Sequence, residues 1–335
     1  MRVQVVMGKH TVISTFAGCG GSSLGYKLAG YRELLAVEWD DNAVATFKAN
    51  FPEVPVWHGD IANLSGAECM ELAGVKKGEL DVFDGSPPCQ GFSTAGKRKF
   101  TDPRNSLFRE FARLLEELQP KAFVMENVTG LVKGHMKQAY LQIVLTLREC
   151  GYRVKGEVLN AAHFDVPQAR QRVIIIGVRE DLGIEPSHPK PKTSPVPSVQ
   201  GLMLAPDPGP FKPIKARITE LVMHIKPGEN GADVHEARGE KGHHFSLSRL
   251  ALDKPAPTIL KSVRGDHGAG LLHPEHNRLL GINEVKALFS FPSEFQFFGK
   301  FEEQWGRIGN CVPPNLMRAI AEHLRDEVLE KVKAR

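Results

Sequence analysis

Cysteine is scarce in this 335-residue chain. The five residues, Cys19, Cys69, Cys89, Cys150 and Cys311, are odd in number, scattered and never set as Cys-x-x-Cys. That pattern argues against a disulfide framework or a zinc knuckle and fits a reducing cytoplasm. Long hydrophobic runs are missing as well. No stretch approaches the length that crosses a bilayer, and Met1 to His10 lacks an apolar core with a small-residue cleavage site, so neither membrane partner nor export is expected. Charge of one sign is not in excess: 43 Lys and Arg stand against 39 Asp and Glu, and a net +4 is only a weak pointer to polyanions. No internal repeat or low-complexity tract is present. The length and ordinary apolar content describe a soluble globular protein with one large core or two domains.

What is present is alternation. From residue 12 to 178 the short apolar runs Val12 to Phe16, Leu34 to Trp39, Val54 to Trp57, Leu80 to Phe83, Ala122 to Met125, Val154 to Leu159 and Val173 to Val178 are separated by helical patterns. This predicts an α/β sheet layered by helices. Between the fourth and fifth runs Leu107, Phe108, Phe111, Leu114, Leu115 and Leu118 recur at helical spacing behind Asn105 as cap, a core stripe. The character changes after Val178. Nine of the 23 prolines fall between Pro186 and Pro213, a density expected to exclude helix and to mark a linker or an irregular domain edge. Residues 180–280 hold eight of the 13 histidines and show no sustained helical period, so a small, loop-rich, β-containing second domain is expected there. A last helix begins at Pro314, carries Leu316, Ile320, Leu324 and Val328 on one side, and is expected to return to the first domain. The expected division is a first domain over 1–183, a second over 184–280, a hinge over 281–308 and the returning helix over 309–335.

Chemistry-bearing residues gather at the predicted strand ends. The first strand runs into a Gly-rich turn, Phe16-Ala-Gly-Cys-Gly-Gly, whose backbone N–H groups suit the polar end of a ligand, while Ser23 stands where a dinucleotide fingerprint needs its third glycine. Glu38, twenty residues after Gly18, can accept both ribose hydroxyls of a nucleoside, Trp39 offers a flat face to adenine, and Asp60 is placed to accept an adenine amino group. After the fourth strand Pro87-Pro88 fixes the backbone and holds Cys89 out toward a ligand. Glu126 follows the fifth strand at the same edge, and Arg170 and Arg172, at period two, are expected to point to one side. His243-His244 and His273/His276 lack a supporting Cys or carboxylate pattern, so no metal is expected.

In this order the motifs Phe16-Ala-Gly-Cys-Gly-Gly, Pro87-Pro-Cys-Gln-Gly-Phe-Ser93, Glu126-Asn-Val128, Gln168-Ala-Arg-Gln-Arg172, Arg278-Leu279 with Glu284 and Phe291-Pro292, and Gly309-Asn-Cys-Val-Pro-Pro314 resemble the cytosine-5 DNA methyltransferases that use S-adenosylmethionine. The resemblance covers nearly the whole chain except roughly 180–255. It departs from the family at Asp165, usually glycine, at Cys311, usually small, and at Gly281, often threonine. It implies a Rossmann-like S-adenosylmethionine-dependent sheet with a smaller loop- and β-rich target-recognition domain. It further implies that Phe16, Gly18, Gly20, Gly21, Glu38, Trp39, Asp60, Ile61, Pro87, Leu107 and Asn310 hold the cofactor, and that Cys89, Glu126, Arg170 and Arg172 act on the base within a pocket lined by Pro88, Gln90, Ser93 and Asn127. Lys97, Arg98 and Arg104, in the segment 91–106 that Gly91 and Gly96 permit to hinge, and Arg249, Lys261 and Arg264 in the second domain are the expected DNA contacts.

The chemistry accounts for these residue types. Carbon 5 of cytosine is not nucleophilic until a soft thiolate adds to carbon 6, and the charge that then develops toward ring nitrogen 3 needs a carboxyl with a raised pKa in a dry pocket. The reacting atoms are inaccessible in a stacked duplex, so the base must leave the helix. The expected partners are double-stranded DNA and a separately encoded restriction endonuclease. The chain is expected to act as a monomer in the cytoplasm at the nucleoid. RNA methylation on the same fold, a silent DNA-binding protein and a nicotinamide dehydrogenase are the rival readings. The intact Cys89, Glu126 and Arg172 stand against the silent binder, and Pro87-Pro88-Cys89 stands against the dehydrogenase.

Overall fold

Residues 9–88, 106–192, 194–240, 247–262 and 270–333 are described by the computed structural model. The seven apolar runs become β1 (His10–Thr15), β2 (Tyr31–Glu38), β3 (Val56–His58), β4 (Val82–Gly85), β5 (Ala122–Val128), β6 (Tyr152–Asn160) and, after the two-residue β7 (Gln168–Ala169), β8 (Gln171–Arg179). They form one sheet in the order β3-β2-β1-β4-β5-β8-β6. β1 pairs in parallel with both β2 and β4, and β8 runs antiparallel to β5. Strand order therefore reverses between β1 and β4, the switch point outside which open α/β sheets bind ligands. Helices α1 (Gly21–Leu28), α2 (Asp41–Asn50), α3 (Gly66–Ala73), α4 (Ser106–Leu118) and α5 (Lys137–Glu149) fill the connections.

The stripe foreseen on α4 is core. Phe108, Phe111, Leu114, Leu115 and Leu118 are buried beside Phe83 and Phe123, and Leu107 packs against the same cluster. Phe83 stacks on Phe111 at 4.9 Å, and Phe123 meets Tyr152 edge-on at 5.2 Å, so aromatic contacts run from β4 across α4 and β5 to β6.

Two compact units divide the chain: Met1–Leu159 with Gln171–Pro191 and Leu316–Arg335, and Asn160–Arg170 with Lys192–Asn315. The expected boundaries are corrected in four places, two of which are 184–191, inside the first unit, and 309–315, inside the second. Residues 160–170 leave the first unit, and the segment 281–308 read as a hinge lies wholly inside the second.

The second unit also holds more helix than expected. α6 (Ser198–Leu202) forms within the proline-rich segment, where prolines bracket the helix instead of interrupting it. α7 (Ala216–His224) and α8 (Gly231–Ala237) follow, then the short strands β9 (Leu247–Arg249), β10 (Ala256–Pro257) and β11 (Gly270–Leu272). Ile218, Leu221, Val222 and Ile225 sit at helical spacing and pack with Val234, Leu247, Leu272 and Leu279 into this unit's own core. α9 (Ile282–Leu288) and α10 (Phe301–Asn310) complete it.

The last helix, α11 (Pro314–Leu324), passes into the first unit at Leu316. There the Tyr31 hydroxyl donates to Ala321 O at 2.9 Å and Arg325 donates to Ala29 O at 2.9 Å.

Candidate active site

At the end of β1 the chain turns sharply. Phe16 has φ 53°, Gly18 φ 56° and Gly20 φ 92°, the left-handed region that glycine enters without cost. A Cβ on Gly18 would meet nothing within 4 Å, which leaves open space above the turn. The turn is fixed from β2: Glu38 Oε2 accepts the Gly18 N–H at 2.8 Å, and Oε1 accepts those of Trp39 and Asp40 at 2.9 and 3.0 Å.

Glu38, expected to accept two ribose hydroxyls, thus already accepts three backbone N–H groups. A carboxylate has about four acceptor positions, and with three held by backbone, one on Oε2 is left for a ligand. Trp39, at 74% exposed, presents its ring to solvent. Asp60 is exposed and caps a short turn, with Oδ1 accepting the Ala62 N–H at 3.0 Å, while the Ile61 side chain is buried in the core. These groups fit an adenosyl ligand: a Gly-rich backbone for a charged end, an acceptor for a sugar hydroxyl, an open aromatic face and an exposed carboxylate. Asn310 is an exposed residue at the end of α10 in the second unit.

At the neighbouring strand ends the second half of the site assembles. In the β5/β8 ladder Glu126 stands opposite Ile174, and Arg172 opposite Val128. Glu126 and Arg172 are therefore diagonal neighbours on one face, within reach of long side chains. Arg172 Nε lies 2.8 Å from Glu126 Oε1, with the two side chains 13% and 11% exposed. Next in sequence, Asn127 donates from Nδ2 to Pro87 O at 3.0 Å and accepts the Val128 N–H at 2.9 Å. One amide thus ties the end of β5 to the backbone two residues before Cys89. Pro87 is buried and Pro88 exposed. Cys89, Gln90, Ser93, Lys97, Arg98, Arg104 and Arg264 lie outside the described residues.

Arg170 is not where period two would put it. The strand breaks after Ala169, and Arg170 donates to Ile259 O at 3.1 Å and Gly309 O at 2.8 Å while lying over the Phe289 ring, all within the second unit. Gln168 helps it hold that stretch by accepting the Ile259 N–H, and Thr258 donates to Ala169 O. Gly309 permits the approach, because a Cβ there would stand 2.6 Å from Leu260 O. Arg170 is a clamp on the segment that carries Pro257-Thr258-Ile259, not a partner of Arg172 facing the same way.

Arg249 is corrected too. It is 6% exposed, and its five donors reach Val222 O, Ile225 O, His273 O, His276 O and Asn277 Oδ1, at 2.6 to 2.9 Å. Such a guanidinium has no donor left to read a base edge. Lys261 is exposed.

His273 and His276 do have a carboxylate beside them, Glu275, with ligand atoms within 4.8 Å. His273 Nδ1, however, accepts the N–H groups of Glu275 and His276, and burial pushes its pKa down, as suits a neutral acceptor that shapes the turn. Sequence reasoning missed the Asn127–Pro87 bond and a buried carboxyl cluster behind the Gly-rich turn. The only signal of the second was a pair of acids, Glu33 and Asp84, inside strand patterns.

The family model for C-5 cytosine-specific DNA methylases matches residues 10–326. Among curated relatives, the chain is 38% identical to Type II methyltransferase M1.HphI of Haemophilus parahaemolyticus, over 93% of this chain and 86% of that protein. It is 34% identical to M.Sau96I of Staphylococcus aureus, over 94% and 75%. Among solved structures, a prophage-encoded protein from E. coli described as a DNA modification methyltransferase superposes with TM-score 0.73 at 25% identity, over 96% of this chain and all of that one. A DNMT2 variant from Spodoptera frugiperda shares the fold, with TM-score 0.69 at 18% identity, over 97% and 100%. With its motifs in order along a matching fold, the chain belongs to the C-5 cytosine-specific DNA methylase family.

Proposed function

We propose that the protein methylates carbon 5 of a cytosine swung out of double-stranded DNA, as the modification enzyme of a Type II system, with S-adenosylmethionine as donor. The observation that carries this reading is the convergence at the sheet's switch point. The Glu126–Arg172 pair and the Asn127–Pro87 tie stand at the strand ends next to the Glu38-braced Gly-rich turn. When bound, S-adenosylmethionine would supply an electrophilic methyl group on a sulfonium centre. Phe16, Gly18, Gly20, Gly21, Glu38, Trp39, Asp60 and Leu107 would hold it, with Ile61, Pro87 and Asn310 completing the set.

Cys89 has the central chemical role. Its thiolate forms a bond to carbon 6, and the ring electrons move toward nitrogen 3 and carbon 5, leaving carbon 5 nucleophilic. Glu126 bonds nitrogen 3, where negative charge develops, and Arg172 orients both the carboxyl and the base oxygen. Once carbon 5 has taken the methyl group that the bound donor would supply, its proton passes to water, the C5–H electron pair forms the carbon 5–carbon 6 double bond, and sulfur leaves carbon 6 as thiolate, which restores the aromatic ring. Lys97, Arg98 and Arg104 would meet phosphates while the base is out of the stack. A cytoplasmic, nucleoid-bound monomer with a cognate endonuclease encoded elsewhere suits this role.

The test is methylation-sensitive sequencing of genomic DNA from a host without cytosine methylation that expresses this chain, beside a Cys89→Ala control. One methylated motif present only with the intact chain supports the reading. Unmethylated DNA from cells that contain folded, cofactor-binding protein redirects it to RNA.

A further inference from the structure

Helix α1 follows the Gly-rich turn and turns polar groups inward: Ser23 and Tyr26 are buried and Ser22 partly so. Opposite them stand Ser14 on β1, Glu33 on β2 and Asp84 on β4, with Ser14 and Asp84 in register across the switch point. The buried Tyr26 hydroxyl donates to Asp84 Oδ1 at 3.2 Å, and Ser22 also hydrogen-bonds Asp84. Ser23 donates to Glu33 Oε1 at 2.9 Å; Glu33 is partly exposed as a residue, but its Oε2 is buried.

The charged neighbours are mostly acidic. Asp84 is faced by Glu33 and Glu126, and Glu33 by Glu53 and by Lys27, which itself pairs with Glu53. Tyr26 is faced by Asp84, Tyr31 and Glu33. Burial, reinforced by these neighbours, pushes Glu33 up to about 7 and Asp84 well above the carboxylate range.

An apolar side chain would occupy the place of Asp84 without the cost of dehydrating an acid. The strand that carries it ends one residue later, and Ser86-Pro87-Pro88 leads straight to Cys89. We infer that Asp84 is a positioning residue for methyl transfer: through Tyr26 and Ser22 it fixes α1, and with it the Gly-rich turn, to the strand that leads to the nucleophile. Cofactor seat and nucleophile then share one hydrogen-bonded support. This inference rests on the reading of the Gly-rich turn as the S-adenosylmethionine site.

The test compares the unaltered protein with Asp84→Ala, which removes the link, with Asp84→Asn, which keeps hydrogen bonding but cannot ionise, and with Tyr26→Phe, which cuts the link at least cost in packing. S-adenosylmethionine affinity by calorimetry, kcat and both KM values are measured across pH. Hydrogen exchange of amides 18–25 is measured without ligand. Loss of one buried hydrogen bond corresponds to roughly a ten-fold change, so Tyr26→Phe and Asp84→Ala are expected to weaken cofactor binding by about that much. They should also speed exchange over 18–25, while KM for DNA stays constant. Asp84→Asn, which keeps the hydrogen bonding, is expected to bind like the unaltered protein. Affinity and exchange unchanged in Tyr26→Phe would overturn the inference. If the unaltered protein bound no S-adenosylmethionine, the reading of the site would fail, and exchange over 18–25 alone would decide the role of Asp84.

Discussion

A single guanidinium shows how far residue type can mislead about role. Arg249 and Lys261 are both basic residues of the second unit, yet only Lys261 is exposed. Replacing Arg249 with Met strands the carbonyls of Val222, Ile225, His273 and His276 in a buried setting. The expected loss is about 3 kcal/mol of stability or more, read from the urea midpoint. Lys261→Ala is expected to leave stability within about 0.5 kcal/mol and, if it meets a phosphate, to lower the salt slope of DNA binding by about 1. A normal urea midpoint in Arg249→Met would return that residue to the list of DNA contacts.

Glu33 makes a second residue-scale prediction. Its carboxyl is raised from 4.5 to about 7 in the folded chain, chiefly by burial. The folded state therefore binds more protons than the unfolded state between those values, and stability present below about pH 4.5 is lost as pH rises through about 7. Glu33→Gln should remove that slope and stabilise the protein at pH 8 by up to about 3 kcal/mol. Denaturation midpoints at pH 5 and pH 8 give the comparison, and parallel pH profiles for the two proteins would contradict it.

At the scale of elements, departures from the family pattern have local causes. Gly281 caps α9, and the loop before it lies across that helix start: Ile282 donates to Pro210 O and Asn283 to Pro208 O, both at 3.0 Å. A Cβ on Gly281 would collide with the Pro208 carbonyl, so threonine, frequent there in relatives by resemblance, cannot coexist with this loop. Gly281→Thr is expected to cost about 2 kcal/mol or more through backbone displacement, measured as a lowered Tm. Asp165, by contrast, stands in the left-handed region at φ 57°, where glycine is at ease, and its carboxylate is held by the exposed Lys192. Asp165→Gly is expected to shift stability by less than about 1 kcal/mol, relief of the backbone offsetting loss of the surface pair.

The same scale separates what could be read from sequence. The seven strands were legible because apolar runs of the right length are bounded by turn residues, and α4 because six apolar positions share one face. α7 carries the same signal at Ile218, Leu221, Val222 and Ile225, but surrounding prolines and histidines masked it. Of the candidate site, Glu38, Trp39, Glu126 and Arg172 could be singled out because strand-end position is encoded along the chain, and the structure brings Glu126 and Arg172 together. The direction of Arg170 was not legible, since it depends on a strand break and on Gly309 and Ile259, far away in sequence.

For the molecule as a whole, charge does little to divide labour. The second unit has 16 Lys and Arg against 14 Asp and Glu, half of the chain's net +4, so neither unit is a polycation. A global field of the chain therefore contributes little to DNA affinity. Connectivity is more decisive. The first unit is built from three separate stretches, and the last of them supplies Leu316, Met317, Ile320, Ala321, Leu324, Val328 and Leu329, each at most 1% exposed. Burial of one such aliphatic side chain is worth roughly 1.5–3 kcal/mol, against a total stability of about 5–15 kcal/mol. A chain ending at Asn315 keeps every motif assigned to chemistry, from Phe16 to Pro314, yet loses this wall and the Tyr31–Ala321 bond. It is expected to show no cooperative thermal transition and to bind no S-adenosylmethionine by calorimetry. A truncated chain that melts cooperatively and binds cofactor as tightly as the full chain would mean that the sheet is held by its first two stretches alone.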